Sequence, residues 1–292
     1  MATESNYYVP EQSKLPILMA LGLGLAAWGA GTWVQGGSAM VFLAGALVLA
    51  FVFYTWFSTV VRENMAGLNS EQLKRSYVWG MSWFIFSEVM FFAVFFGALL
   101  YVRMLVLPWL SEGETGKLLW DGFEASWPLY DTPAEAVGGA GATVRGPEET
   151  ISPWHLPLIN TIILLTSSVT VHFAHTALKK ENRKNFNLWL AITVILGCVF
   201  LFFQVEEYYE AYTELGLTLN SGIYGTTFFM LTGFHGAHVT LGTFMLFVQL
   251  VRGLKGHFSH DDCFGFEASS WYWHFVDVVW VGLFIFVYVL GS

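Results

Sequence analysis

The sequence predicts an all-α polytopic membrane protein with seven transmembrane helices. Three observations predict it. Apolar residues make up 55% of the 292 positions and charged residues only 12%, about half the charged share of a soluble domain. Aromatic residues reach 18%, including 27 Phe and 13 Trp, more apolar surface than a soluble fold of this size can hide. The apolar residues gather in runs near or above the roughly 20 needed to cross about 30 Å of hydrocarbon.

Seven such runs lie near 15–34, 39–61, 78–107, 156–178, 186–208, 223–251 and 268–290. Backbone groups in lipid must bond internally, so each run is expected as a helix. The third and sixth are long enough to tilt or protrude. No internal repeat points to an inverted-repeat transporter. Residues 1–10 hold neither the basic and short apolar regions of a signal peptide nor an Arg-rich presequence, so the first run is expected to serve as its own insertion signal.

Lysine and arginine set the expected orientation. With the N-terminus in the cytoplasm, the inner side collects Lys14, Arg62, Lys74, Arg75, Lys179, Lys180, Arg183, Lys184, Arg252 and Lys255. The outer side receives Lys117 and Arg145, with Arg103 near the outer end of the third span. The C-terminus then ends outside. The long segment at about 108–155 also faces outward, and a connection of that length is usually a docking or flexible segment.

The net charge is −9, but most acids sit in that one segment. Glu112, Glu114, Asp121, Glu124, Asp131, Glu135, Glu148 and Glu149 face only Lys117 and Arg145 there, the pattern of a solvated loop. No basic stripe points to nucleic acid. Cys198 lies in an apolar run and Cys263 in a polar loop, so neither a disulfide framework nor a metal motif is expected. No Gly-rich phosphate loop follows a strand, and no nucleophile has a base at readable spacing.

Ionisable residues inside apolar runs are costly and each needs a reason. Glu88 lies 13 residues beyond Arg75, roughly 20 Å along a helix and near mid-membrane. Phe84, Phe91, Phe92 and Phe95 share its face. Three readings stay open for it: a proton or ion carrier, a hydrogen-bond anchor to a neighbouring helix, or a contact to a polar lipid feature. His172 and His175 on the fourth run, and His235 and His238 on the sixth, repeat a spacing of three. Such histidines either hold haem iron between facing helices or act as polar glue. His274 and Asp277 share a face of the last run and are expected to pair. Trp271, Tyr272 and Trp273 are expected to form an interfacial belt. Glu206, Glu207 and Glu210 read as a wetted helix end.

Several segments are more specific than this. Phe264-Gly265-Phe266-Glu267-Ala268 is followed by Trp271-Tyr272-Trp273-His274-Phe275-Val276-Asp277-Val278-Val279-Trp280. Tyr224-Gly225-Thr226-Thr227-Phe228-Phe229 is followed by Thr232-Gly233-Phe234-His235-Gly236-Ala237-His238-Val239. With Ser87-Glu88-Val89-Met90-Phe91-Phe92, Glu207-Tyr208-Tyr209-Glu210-Ala211 and Arg62-Glu63, these resemble the cytochrome c oxidase subunit III family over nearly the whole chain.

The resemblance implies a two-helix bundle and a five-helix bundle with a lipid-holding cleft. The divisions are then 1–61 for the N-terminal tail and two helices, 62–77 for a cytoplasmic loop, and 78–292 for five helices. It implies no haem, copper or other metal in this chain, those belonging to partner subunits I and II, and no catalytic residue of its own. Its expected role is to stabilise subunit I during turnover, retain structural phospholipids and support proton uptake. Glu88 matches the family's intramembrane carboxylate, and Trp56, Arg62, Glu63, Phe84 and Arg252 fall where the family contacts cleft lipids. A basic residue at the inner boundary suits a lipid phosphate. The loop after Arg62 reads Gly67-Leu68-Asn69-Ser70 where relatives often carry histidine, which removes one headgroup contact. The long outer loop and absent presequence imply a bacterial cytoplasmic membrane. His257, His260, Asp261 and Asp262 are expected to buffer protons at the inner face. Two rivals remain from the residues alone: a membrane cytochrome built on the paired histidines, and a proton-coupled transporter built on Glu88.

Overall fold

The computed structural model describes residues 8, 12–258 and 263–291. Among these there is no strand, and seven helices are long and apolar enough to cross a membrane. We label them α1 (Leu15–Val34), α2 (Met40–Met65), α3 (Glu71–Tyr101), α4 (Leu156–Lys179), α5 (Arg183–Thr213), α6 (Gly222–Leu254) and α7 (Phe264–Leu283). Several outrun the apolar stretches that predict them, because intrahelical hydrogen bonds continue past the hydrocarbon wherever no breaker intervenes. The third continues through a π-helical segment, Val102–Val106, into Leu107–Glu112. Pro108 explains that segment: its ring has no N–H and crowds the preceding turn, and a widened turn relieves both.

The chain divides into two compact units, Met1–Gly80 and Met81–Ser292, with the boundary inside α3. In the first unit, α1 and α2 pack through glycine. A Cβ at Gly29 would fall 2.1 Å from the Phe42 backbone nitrogen, and one at Gly45 would fall 2.4 Å from that of Ala26. The two backbones touch because neither position has a side chain, the usual device where lipid supplies no hydrophobic drive between helices. Gly67, at φ 71°, follows the last residue of α2's cap in the left-handed conformation that ends a helix most cheaply for glycine.

In the second unit α4, α5, α6 and α7 close a ring, each packed on the next and α7 on α4. The α4–α5 turn is a Schellman motif. Asn182 N–H reaches Ala177 O at 2.9 Å and Glu181 N–H reaches Leu178 O at 2.9 Å. Glu181 takes the left-handed position at φ 56° without being glycine, while Asn182 Oδ1 caps α5 by accepting from Asn185 N–H. At the ring's centre α7 inserts two indoles into small-residue recesses. Trp273 lies against Gly197 and Gly242 and donates to Ser167 Oγ at 2.9 Å. Seven residues on, Trp280 donates to Thr161 Oγ1 at 2.9 Å. Each indole therefore buries its rings without stranding its N–H.

From Met81 onward, α3 joins this unit mainly through long side chains. Phe84 stacks on Tyr272, Phe91 meets Phe234 edge-on at 5.0 Å, and Phe92 and Phe96 reach Phe275 and Phe286. Within the π-helical segment, the Arg103 guanidinium donates to Leu290 O at 2.7 Å, and Tyr224 Oη of α6 donates to Gly291 O at 3.1 Å. These donors satisfy carbonyls that the end of the last helix leaves open.

The acidic segment between α3 and α4 folds onto the end of the ring. Phe123, Leu129 and Ile151 are buried with Leu217 of the α5–α6 turn, and Glu148 and Glu149 N–H both donate to Leu215 O. Its keystone is a capping box. Glu135 N–H donates to Thr132 Oγ1, while Glu135 Oε2 accepts from Thr132 N–H at 2.8 Å and from Gly146 N–H at 3.0 Å. Partial burial pushes the Glu135 carboxyl up, but these donors and the Arg145 charge outweigh it and hold it below its ordinary 4.5. Its stabilisation is therefore fully present above 4.5 and is lost as pH falls through the lower folded value. Amide exchange over 123–151, corrected for intrinsic rates, is expected to show protection falling below that range in the wild type. Glu135→Gln should lower protection at neutral pH and flatten the dependence. An unchanged profile in the variant would remove Glu135 from this role.

Candidate functional site: an intramembrane carboxyl–imidazole pair

Glu88 projects from α3 toward α6 and meets His238, with Oε2 and Nε2 2.9 Å apart. The other ring nitrogen, Nδ1, lies 2.6 Å from Phe234 O one turn back. A carbonyl can only accept, so Nδ1 carries a hydrogen. This leaves two arrangements for the short contact. Either a protonated Glu88 donates to a neutral imidazole, or an imidazolium donates to a Glu88 carboxylate. Both hold one shared proton and both are neutral overall, which is what makes burial among aromatic rings tolerable.

The shell is aromatic on most sides. His238 lies edge-on to Phe92 at 4.9 Å, 5.9 Å from Phe91, stacked over Tyr272 at 6.3 Å, and 6.4 Å from Phe275. Phe91 and Phe92 are the residues three and four beyond Glu88, so helical periodicity alone supplies half of the shell. The Glu88 side chain keeps 21% of its surface exposed and His238 keeps 14%, so the pair is shielded but not sealed.

The remaining histidines take separate partners. His235, fully buried, meets Val276 O through Nε2 at 3.2 Å, with Trp280 and Phe200 against its ring. His175 Nε2 and Lys179 Nζ both meet Glu267 Oε1 at 3.1 Å. His172 is exposed on α4. His274 Nδ1 lies 2.9 Å from Ser168 Oγ and 3.5 Å from Asp277 Oδ2. Serine and carboxylate thus share one nitrogen, whereas a hydrolytic triad needs them on opposite nitrogens of the base. Among the described residues no three His, Cys, Asp or Glu side chains converge to hold a metal ion. The imidazoles of His175, His235 and His238 each meet a partner on another element.

Of the residues expected at lipids, Trp56 and Phe84 are exposed. Arg62 turns back on its own helix toward Ser58 O and Thr59 Oγ1, and Glu63 accepts from Tyr8 Oη. The Arg252 guanidinium lies 4.7 Å over the Phe258 ring and donates to Gln249 Oε1. His257 sits half-buried beside the α6 terminus, its backbone N–H donating to Arg252 O. His260, Asp261 and Asp262 lie outside the described residues. Cys198 is exposed and Cys263 buried, and among the described residues neither forms a disulfide.

Two features escape a reading of the sequence. His238 lies 150 positions from Glu88, and no local pattern links them. Glu207 reads as part of a wetted helix end but is fully buried. A signal for it existed: Leu190, Gly197, Phe200, Gln204, Glu207 and Ala211 form one helical stripe.

The comparisons with known proteins decide the family. The family model described as cytochrome c oxidase subunit III matches residues 5–115 and 118–292. The chain belongs to the cytochrome c oxidase subunit III family. It is 37% identical over 287 residues to cytochrome c oxidase subunit 3 of Oryctolagus cuniculus, covering 98% of this chain and 97% of that one. It is 37% identical to that of Drosophila melanogaster over the whole of both chains, and 36% identical to that of Oncorhynchus mykiss over 98% and 97%. As a subunit of this family, the chain is part of an oxidase complex in a membrane, and the Glu88–His238 pair lies within the membrane-spanning part of that complex.

If the pair ties α3 to α6, Glu88→Ala should destabilise the chain by about 1–3 kcal/mol, because it strands a buried imidazole. Glu88→Gln can still donate to Nε2 and should cost clearly less. Thermal release of the chain from the purified complex measures both. Equal loss in the two variants would mean that the hydrogen bond contributes nothing.

Proposed function

We propose that this chain is the non-catalytic subunit III of a proton-pumping cytochrome c oxidase. In this reading it stabilises catalytic subunit I during turnover, retains phospholipids in an intramembrane cleft and supports proton uptake in aerobic respiration. The reduction of dioxygen to water takes place in its partners, where subunits I and II hold haem and copper. In this reading the chain comprises a two-helix bundle over 1–61, a cytoplasmic connection over 62–77, into which α2 runs as far as Met65 and from which α3 starts at Glu71, and a five-helix bundle over 78–292. The excess of lysine and arginine on one side supports a cytoplasmic N-terminus and a periplasmic C-terminus in a bacterial inner membrane.

The observation that carries the reading is how the buried polar groups of the second unit are used. Glu88–His238, Trp273–Ser167, Trp280–Thr161, Tyr208–Thr232 and Tyr288–Glu207 each bridge two different elements. Groups committed to such ties make a stiff block suited to bracing a neighbour. The Arg252 guanidinium, held over Phe258 near the basic end of α6, has the charge and planarity to receive a lipid phosphate. The outward rings of Trp56 and Phe84 offer surfaces for acyl chains. His257 supports the proton-buffering part of the proposal, with His260, Asp261 and Asp262 as its further members.

Oxygen consumption followed through sustained turnover tests this. Oxidase depleted of the chain is expected to start near the intact rate and then lose activity several-fold faster. Identical decay with and without the chain would contradict a stabilising role.

A further inference from the structure

A second group of buried polar side chains lies in the ring, toward the end covered by the acidic segment. Asn160 of α4 and Glu207 of α5 are 0% exposed, and Gln204 is 4% exposed. Tyr288, in the π-helical end of the last span, donates its hydroxyl to Glu207 Oε1 at 2.5 Å. That bond uses one carboxyl oxygen only. Among the described residues, Glu207 Oε2 and both polar atoms of Asn160 have no hydrogen-bond partner, and the Gln204 amide, which faces the Glu207 carboxyl and the Tyr288 hydroxyl, makes no contact to either that is short and aligned enough to saturate its donors and acceptor. Buried amides are almost always paired, with protein or with ordered water.

The helix register brings these groups to one level. Thr170 and Thr193 share a hydroxyl hydrogen bond at 2.8 Å, which fixes α4 against the antiparallel α5. Asn160 lies ten residues before Thr170 and Gln204 eleven after Thr193, rises of about 15 Å and about 16 Å in the same direction. Gln204 lies one turn before Glu207, its amide against both the Glu207 carboxyl and the Tyr288 hydroxyl. From the other side, Thr161, next to Asn160, accepts from Trp280, whose ring lies 5.8 Å from that of Tyr288.

We propose that Asn160, Gln204, Glu207 and Tyr288 form a buried hydration site that holds on the order of one or two water molecules. The chemistry of the open atoms selects this ligand. Each amide presents donors and an acceptor, and the carboxyl presents a further oxygen. Water donates twice and accepts twice, so it answers such a mixed set. A cation would face the two amide NH₂ groups, and an anion would face the carboxyl. Water there links α4 to α5 at a level where, among the described residues, no direct side-chain bond does. It also gives Glu207 a hydrogen-bonded neighbour that can exchange protons, so the carboxyl is not sealed in a dry core.

A density map of the intact oxidase, at a resolution where ordered waters are visible, tests the site. The expected result is a peak about 2.7–3.2 Å from Glu207 Oε2 and from at least one of the two amides. Direct bonds among Asn160, Gln204 and Glu207 with no intervening density would overturn the proposal. So would a peak ringed by oxygens at the 2.0–2.6 Å of a bound divalent cation. In assembled oxidase carrying Gln204→Leu the peak should be lost. A peak that persists unchanged would overturn the assignment of the amide as its holder.

Discussion

Hydrocarbon supplies no hydrogen bonds, so a polar side chain at membrane depth must find its partner in the protein or in water bound to it. The contact between Glu88 and His238 is the sharpest case. Each residue alone would be an expensive group on an apolar helix. Together they carry one shared proton and no net charge, held by the fixed hydrogen on Nδ1. The aromatic residues of α3 are arranged around that bond, with Phe84, Phe91 and Phe92 one turn to either side of Glu88. Rings of this size hold α3 to its neighbours at side-chain length.

Inside the ring of α4 to α7 the same constraint takes a different form. There the backbones approach closely, and the large residues are indoles whose single N–H is matched to a hydroxyl on α4. Ser167 and Thr161 lie six residues apart and Trp273 and Trp280 seven, so the two bonds keep α7 in register along α4. Gly197 and Gly242 make the room that Trp273 fills, so a side chain at either place would displace the ring that carries the bond. Packing and hydrogen bonding are thus one device, and a stiff block follows from both.

Much of this was legible in the sequence. Seven apolar runs give seven helices because hydropathy and backbone satisfaction act locally. The carboxyl at Glu88 and its aromatic face followed from spacing alone. The anchor reading of Glu88 was one of three open to the residues, but the identity of its partner was not. The 150-residue separation from His238 is bridged only by the packing of α3 against α6. The acidic segment misled in another way. Its charges are those of a solvated loop, yet Phe123, Leu129, Thr132 and Ile151 are buried within it. A mean over charge hides the few apolar positions and the one capping box that fold it. Glu207 was hidden by its neighbours, since Glu206 and Glu210 are exposed and only the residue on the Gly197–Gln204 stripe turns inward.

The account rests on Glu88 and His238 acting as one unit. A double-mutant cycle measures that directly, using Glu88→Ala, His238→Ala and the pair together in purified oxidase. Stability would be read from amide-exchange protection of α3 beyond Met81. The account predicts a favourable coupling of about 0.5–3 kcal/mol, with the double variant losing much less than the sum of the single ones. Losses that add to within about 0.5 kcal/mol would contradict it, and would leave Glu88 and His238 as neighbours without a shared role.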